Sequence, residues 1–337
     1  MDTKIVHISD FHLSNPSWRD LAVVLAGLGV GAGLGSGESL LEVFSSRDWS
    51  KLLKGAGWAS LAGLIILAIL EFRHYQWSEA PLALALLVQE IEEKFPNARV
   101  VITGDLTDKG EPEEYELARI LLDPLIRKKR VIAVPGNHDD PLLPNPLNRG
   151  IEHFKNHFKT CMGAPVGKFP FIREIGRGCV VIGLNSSHDI RRPSGTGSIG
   201  EEQLERLDKL LNRPRLASKT KILALHHDPF NLNPFTELND ADELFEVIEN
   251  RVDVVLFGHK HNSRLIRNRY GIKLICSAPS SVQEDERGMI HFRLIQIQNQ
   301  DKIQVKHIRL NLEKKIEEFL KSKRLYPGLR LLKALRG

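Results

Sequence analysis

Five short apolar runs in this chain end in residues that can hold a cation. Lys4–Ser9 (K-I-V-H-I-S) leads into Asp10-Phe11-His12, and Arg99–Thr103 (R-V-V-I-T) into Gly104-Asp105. Arg130–Val134 leads into Pro135-Gly136-Asn137-His138-Asp139-Asp140. Lys221–Leu225 leads into His226-His227-Asp228-Pro229, and Val252–Phe257 into Gly258-His259-Lys260-His261. Unbroken β-branched and apolar runs of this length read as strands buried on both faces. Between them the apolar spacing turns helical. It predicts helices over Ala80–Lys94, Glu111–Leu125 with Pro112 near its start, Ile151–Met162, Glu201–Leu211 and Ala241–Asn250. Strand–helix alternation predicts an α/β fold with a parallel sheet and right-handed crossovers. Ligands in open α/β sheets sit at the C-terminal edge of the strands, which is where all five runs deliver polar side chains.

Cys179–Asn185 reads as a further strand. Leu274–Ser277, His291–Gln298 and Lys302–Leu310 follow with no helix between them and predict antiparallel edges. The Gly/Ser/Pro-rich Arg191–Gly200 predicts a mobile loop over the strand ends.

Residues 14–79 break the pattern. Leu21–Gly35 and Gly55–Leu70 are free of charge and apolar but for Ser60, and all four tryptophans (Trp18, Trp49, Trp58, Trp77) fall in this window. Tryptophan flanking apolar segments is an interface signature. Gly27, Gly31 and Gly35 have the spacing that lets two helices touch closely. Each stretch is shorter than the roughly 18–20 residues of a spanning helix. The turn between them carries Arg47, Lys51 and Lys54, which opposes crossing. The favoured expectation is an apolar helical-hairpin insertion dipping into one leaflet. A two-pass hairpin and a soluble lid or oligomer interface are the other readings.

Charge sharpens this picture. Of the formal +5, residues 312–337 carry eight Lys/Arg against three Glu, which leaves residues 1–311 neutral. A neutral catalytic body argues against a nucleic-acid partner. The basic tail, which mixes Leu and Phe with Lys and Arg, reads either as a solvated helix or as an anchor for anionic lipid. Three cysteines without metal-type spacing, Cys161, Cys179 and Cys276, point to a reducing compartment. The N-terminal M-D-T-K-I-V-H-I-S-D has neither a basic nor an apolar signal region. The expectation is a cytoplasmic body, peripheral or monotopic at the inner face of a membrane.

The polar strand ends supply Asp10, His12, Asp105, Asn137, His226, His259 and His261, with His138 and His227 beside them. Each piece alone also suits a polar turn; five of them at apolar strand ends do not. The set is oxygen and nitrogen without sulfur, which suits Mn, Fe or Zn. Seven ligands are too many for one ion with an open position and suit two ions sharing a carboxylate. No phosphate-cradling glycine loop G-x-x-x-x-G-K-[ST], no G-x-G-x-x-G among the glycines at 27–37 and no G-x-S-x-G elbow is present.

The order D-x-H … G-D … G-N-H-D … H … G-H-x-H resembles the calcineurin-like metallophosphoesterase superfamily over roughly residues 1–13 and 80–311. Gly104-Asp105-Leu106-Thr107 with Gly110 and Glu114-Tyr115, and the H-H-x-P form at His226–Pro229, are most similar to its bacterial class III phosphodiesterase-like branch. The resemblance implies a four-layer α/β-β/α sandwich; residues 14–79 depart from the family pattern and interrupt a catalytic domain expected over 1–311, and the tail 312–337 follows it. It implies that Asp10, His12, Asp105 and His261 hold one metal and that Asp105, Asn137, His226 and His259 hold the other, with His226 preferred to His227. It assigns proton donation to the leaving group to His138, with Asp139 or another acidic neighbour orienting it. A metal-bridging hydroxide is then expected to attack phosphorus in line.

The function expected is a dinuclear-metal phosphoester hydrolase acting at the membrane surface on a lipid-linked or other phosphoester. The alternatives are a phosphodiesterase for soluble, cyclic nucleotide-type substrates and a membrane-associated scaffold with a silent site. The expected partners are a phosphoester substrate and a membrane lipid surface.

Overall fold

The structure is a computed structural model that describes residues 2–14, 80–140, 150–176, 178–187, 195–230, 236–300 and 302–321. Apart from Ser14, the expected insertion at 14–79 lies outside the described residues, as does the tail beyond 321.

The strands are β1 (Thr3–Ile8), β2 (Arg99–Thr103), β3 (Val131–Val134), β4 (Phe171–Ile175), β5 (Cys179–Gly183) and β6 (Thr220–Ala224). They continue with β7 (Val254–Phe257), β8 (Leu265–Arg269), β9 (Ile272–Ser277), β10 (Met289–Ile297) and β11 (Ile303–Asn311). The helices are α1 (Ala80–Lys94), α2 (Pro112–Arg127), α3 (Gly150–Phe158), α4 (Glu201–Leu211), α5 (Ala241–Ile248) and α6 (Leu312–Lys321). One sheet has the order β11-β10-β1-β2-β3, the other β4-β5-β6-β7-β9-β8. The result is a mixed α/β sandwich of two sheets with helices.

The central strands β1–β2–β3 and β5–β6–β7–β9 are parallel, as strand–helix alternation requires. Their side chains are buried on both faces. On the second sheet, Val180, Ile182, Leu223, Leu225, Val255 and Phe257 pack with Leu204, Leu207 and Leu210 of α4 and Leu244 and Ile248 of α5. Ile222, Val254 and Leu256, on the alternate positions, are fully buried as well. Burial of both faces is why these runs lack polar alternation. α6, the start of the basic tail, is tied to α1 by Lys315 Nζ, 2.7 Å from the buried Glu90 Oε2.

Two expectations are corrected. β9 is not an antiparallel edge but pairs parallel with β7, and the antiparallel edge outside it is β8. β8 reads L-I-R-N-R and is largely exposed. An edge strand with one open side needs no apolar alternation, and charged residues there discourage further pairing. The helix expected over Ile151–Met162 stops at Phe158, and a 3₁₀ turn follows at Lys159–Cys161.

The register of β1 against β2 carries into the loops beyond them. Asp10 N–H donates to the Gly104 carbonyl at 3.1 Å, and His12 N–H to the Asp105 carbonyl at 3.0 Å. The tips of β1, β2 and β3 thereby meet those of β6 and β7 from the other sheet. His226 Nδ1 reaches the Thr103 carbonyl at 2.7 Å, and His259 N–H reaches Asp10 Oδ1 at 3.0 Å.

Candidate metal centre

Asp105 occupies the middle of the junction. Its Oδ2 lies 3.5 Å from His12 Nε2 and 3.2 Å from His226 Nε2. On one side, His12 Nε2 is 3.0 Å from His261 Nε2, which is 3.4 Å from Asp10 Oδ1. On the other, His226 Nε2 is 3.0 Å from Asn137 Oδ1. Ligand-capable atoms cluster as Asp10, His12 and His261, as Asp105, His226 and His259, and as His12, Asp105 and His138. All seven residues expected as ligands therefore meet at one place. His227 Nδ1 lies 2.9 Å from Ser186 Oγ, and its ring packs against that of His259 with centroids 4.6 Å apart.

Five of the seven have a backbone that L-residues rarely adopt. φ is 58° at Asp10, 44° at His12, 52° at Asp105, 72° at His259 and 50° at His261. Such conformations cost free energy and gather at functional sites, where the surroundings enforce them. The glycines beside them clear space. A Cβ on Gly136 would lie 2.1 Å from Asp105 Oδ1, and one on Gly258 would lie 2.6 Å from Asp10 Oδ2. One on Gly104, at φ +93°, would lie 2.6 Å from His226 Nδ1.

Residues 3–263 match the family described as calcineurin-like phosphoesterase. The chain belongs to that family. It is 26% identical over 199 residues to a probable cyclic nucleotide phosphodiesterase of Vesicomyosocius okutanii, covering 57% of this chain and 74% of that one. It is 29% identical over 205 residues to a 3',5'-cyclic-nucleotide phosphodiesterase of Nostoc, covering 58% and 68%. Among solved structures it is similar to a dimetal phosphatase of Danio rerio, at 11% identity and a TM-score of 0.49, covering 90% of this chain and 98% of that one. As a calcineurin-like phosphoesterase, the chain is a phosphoester hydrolase.

The donor set of this phosphoesterase fits divalent ions. His226 Nδ1–H donates to the Thr103 carbonyl, so the Nε2 lone pair points at two oxygen acceptors, Asp105 Oδ2 and Asn137 Oδ1. Acceptors converging on one point suit a cation there. Burial works to lower the His226 pKa, but the Asp105 carboxylate outweighs it and raises it to about 9. That is the same demand for positive charge, expressed as a proton. Burial holds His12 well below its ordinary value, and burial with His226 beside it pushes His259 down to about 4. Neutral imidazoles are the form that binds metal. Burial opposes the charge on Asp105, but His226 and His138 outweigh it and keep the carboxylate ionised. His259 Nε2 is buried without a hydrogen-bond partner.

His138 is positioned by a residue that strand-end reasoning missed. Its Nδ1–H donates to the Asp108 carbonyl at 2.8 Å, with Asp108 Oδ1 at 3.6 Å. Asp108 sits in a loop pinned by Glu114 Oε2, which accepts from Lys109 N–H and Glu111 N–H at the start of α2. Asp139 does other work. Its carboxylate accepts from Gly136, Leu106 and Thr107 N–H and from Thr107 Oγ, locking the β2 and β3 loops together. Its burial and the nearby Asp105 raise its pKa to about 6. The expected loop over Arg191–Gly200 is described from residue 195, where Gly197 lies against the His227 ring.

Proposed function

We propose that this phosphoesterase is a two-metal phosphodiesterase of the class that opens 3',5'-cyclic nucleotides. Asp10, His12 and His261 would hold one ion and Asn137, His226 and His259 the other, with Asp105 available to both; an oxygen and nitrogen donor set of this kind would suit Mn, Fe or Zn. The observation that carries this reading is the position of Asp105 Oδ2 between His12 Nε2 and His226 Nε2. The names of the relatives from Vesicomyosocius okutanii and Nostoc support the substrate class.

Two bound ions supply charge for the phosphoryl oxygens and lower the pKa of a water. The protein's own groups do the rest. Asn137 contributes a neutral oxygen, which limits the negative charge facing a phosphodiester. The left-handed turns at Asp10, His12, Asp105, His259 and His261 fix the donors before substrate arrives, so little reorganisation accompanies reaction. Donation of Nδ1–H to Asp108 leaves Nε2 of His138, on a ring 30% exposed, to hand a proton to the departing alkoxide.

A second reading places the enzyme at a membrane on a lipid-linked phosphoester. The apolar stretches Leu21–Gly35 and Gly55–Leu70 favour it. Among the described residues no helix is long and apolar enough to cross a membrane. The test is a panel of cyclic nucleotides, glycerophosphodiesters and detergent-dispersed phospholipids, assayed with Mn, Fe or Zn. Turnover confined to the phospholipids would favour the second reading. No metal-dependent hydrolysis of any phosphodiester would overturn both.

A further inference from the structure

The turn after β9, residues 278–283 (A-P-S-S-V-Q), lies beyond residue 263, where the match to the family ends. It is nevertheless bound to the end of β1 at several points. Ser280 Oγ donates to the Asp10 carbonyl at 2.7 Å. Ser281 N–H donates to the Ser9 carbonyl at 3.0 Å, and Ser9 N–H returns a bond to Ser281 Oγ at 3.1 Å. Ser280 Oγ also accepts from Gln283 N–H at 3.3 Å, and the Gln283 side chain hydrogen-bonds the His261 ring. Ser280 and Ser281 are buried.

These contacts fall on one half of the centre. Asp10, at φ 58°, is held in a conformation that persists only where neighbours over-determine it. Its carbonyl is fixed by Ser280 and the residue before it by Ser281. His261, its partner across the half-site, is fixed by Gln283. The other half-site is held differently, through the Thr103 carbonyl on His226 Nδ1 and through Ser186 Oγ on the His226 backbone.

We propose that Ser280 is a positioning residue for the cation half-site of Asp10, His12 and His261, with Ser281 and Gln283 completing the same brace. The turn after β9 is thus part of the metal centre although no residue of it ligates metal. This rests on the two-metal reading above. Outer partners of metal ligands typically change metal affinity by about 10–100-fold when removed. The loss here falls mainly on one ion. It is not confined to that ion, because Asp10 also accepts from His259 N–H.

The test is calorimetric titration of the metal-free full chain with Mn²⁺, together with metal content after desalting. Wild type is expected to bind two ions. Ser280→Ala is expected to weaken one of them about 10–100-fold, and Ser280→Thr, which keeps the hydroxyl, to restore it. A folded Ser280→Ala chain whose isotherm superimposes on wild type overturns the proposal. If circular dichroism shows Ser280→Ala unfolded, Gln283→Ala decides, since it removes the His261 contact and keeps the backbone bonds of the turn. Wild-type binding by that variant overturns the brace equally. Wild type binding fewer than two ions would instead remove the two-metal reading beneath it.

Discussion

The His138 ring is held by the backbone of Asp108, not by its carboxylate: Nδ1 lies 2.8 Å from the carbonyl oxygen and 3.6 Å from Oδ1. Replacing the Asp108 side chain therefore leaves the main hydrogen bond in place. His138→Ala is expected to lower kcat by about 100- to 10,000-fold, the range of a general acid. Asp108→Asn removes only a nearby charge and should cost about tenfold or less, since the ring's orientation survives. Both variants should retain two ions, so metal content measured beside kcat separates lost acid catalysis from a damaged centre. Equal losses in the two variants would mean that the carboxylate, not the carbonyl, sets the ring.

Gly136 has no room for a methyl group, because a Cβ there would sit 2.1 Å from Asp105 Oδ1. The contact is with the carboxylate placed between the two half-sites and with its backbone, so neither can yield cheaply. Gly136→Ala should move Asp105 by several tenths of an ångström or more. A misplacement of about 1 Å at a reacting centre costs on the order of 100-fold in rate. kcat/KM with an aryl phosphodiester is the readout, and metal content should fall with it. Gly167→Ala is the control for a glycine-to-alanine change in itself. Nothing lies within 4 Å of that Cβ, although its φ of +74° brings backbone strain.

Much of this centre could be read from the chain because each donor follows an apolar strand, and strand ends in an α/β sheet converge. Asp10, Asp105, Asn137, His226 and His259 announce themselves that way. The brace at Ser280 does not. Serines are ordinary in turns, and Ser280 meets Asp10 only because β10 brings the C-terminal segment back beside β1. Asp108 was obscured for a related reason, since its carbonyl does the work and every residue has one. β8 was missed because an exposed edge strand carries no apolar signature. The parallel placement of β9 depends on a non-local pairing with β7 that no local pattern encodes.

Between β10 and β11, His291 Nδ1 lies 3.0 Å from His307 Nε2, and His291 Nε2 lies 3.0 Å from Asp285 Oδ2. Burial, with Arg293, His291 and Arg309 nearby, pushes His307 from its ordinary 6.5 down to about 4. The folded chain then binds fewer protons at His307 than the unfolded chain between those two values. Its contribution is favourable above about 6.5 and is lost as pH falls toward about 4. His307→Asn should flatten that dependence. Urea midpoints at pH 7 and pH 5 measure it: wild type should lose more stability between them than the variant. Parallel losses would place the acid sensitivity elsewhere.

Ser186 and Ser187 are adjacent and buried but differ in what they bind. Ser186 Oγ accepts from His226 N–H at 3.2 Å and His227 N–H at 3.1 Å, which uses both lone pairs. Its proton must then go to His227 Nδ1, at 2.9 Å, so His227 carries its own proton on Nε2. Ser187 Oγ is buried with no partner. Ser186→Ala strands two backbone donors beside a ligand candidate and should cost about 1–3 kcal/mol in urea unfolding, with weaker metal binding. Ser187→Ala removes an unsatisfied hydroxyl and should be neutral or slightly stabilising. If the two variants unfold alike, the asymmetry of their hydrogen bonds has no energetic consequence, and the bracing of His226 by Ser186 falls with it.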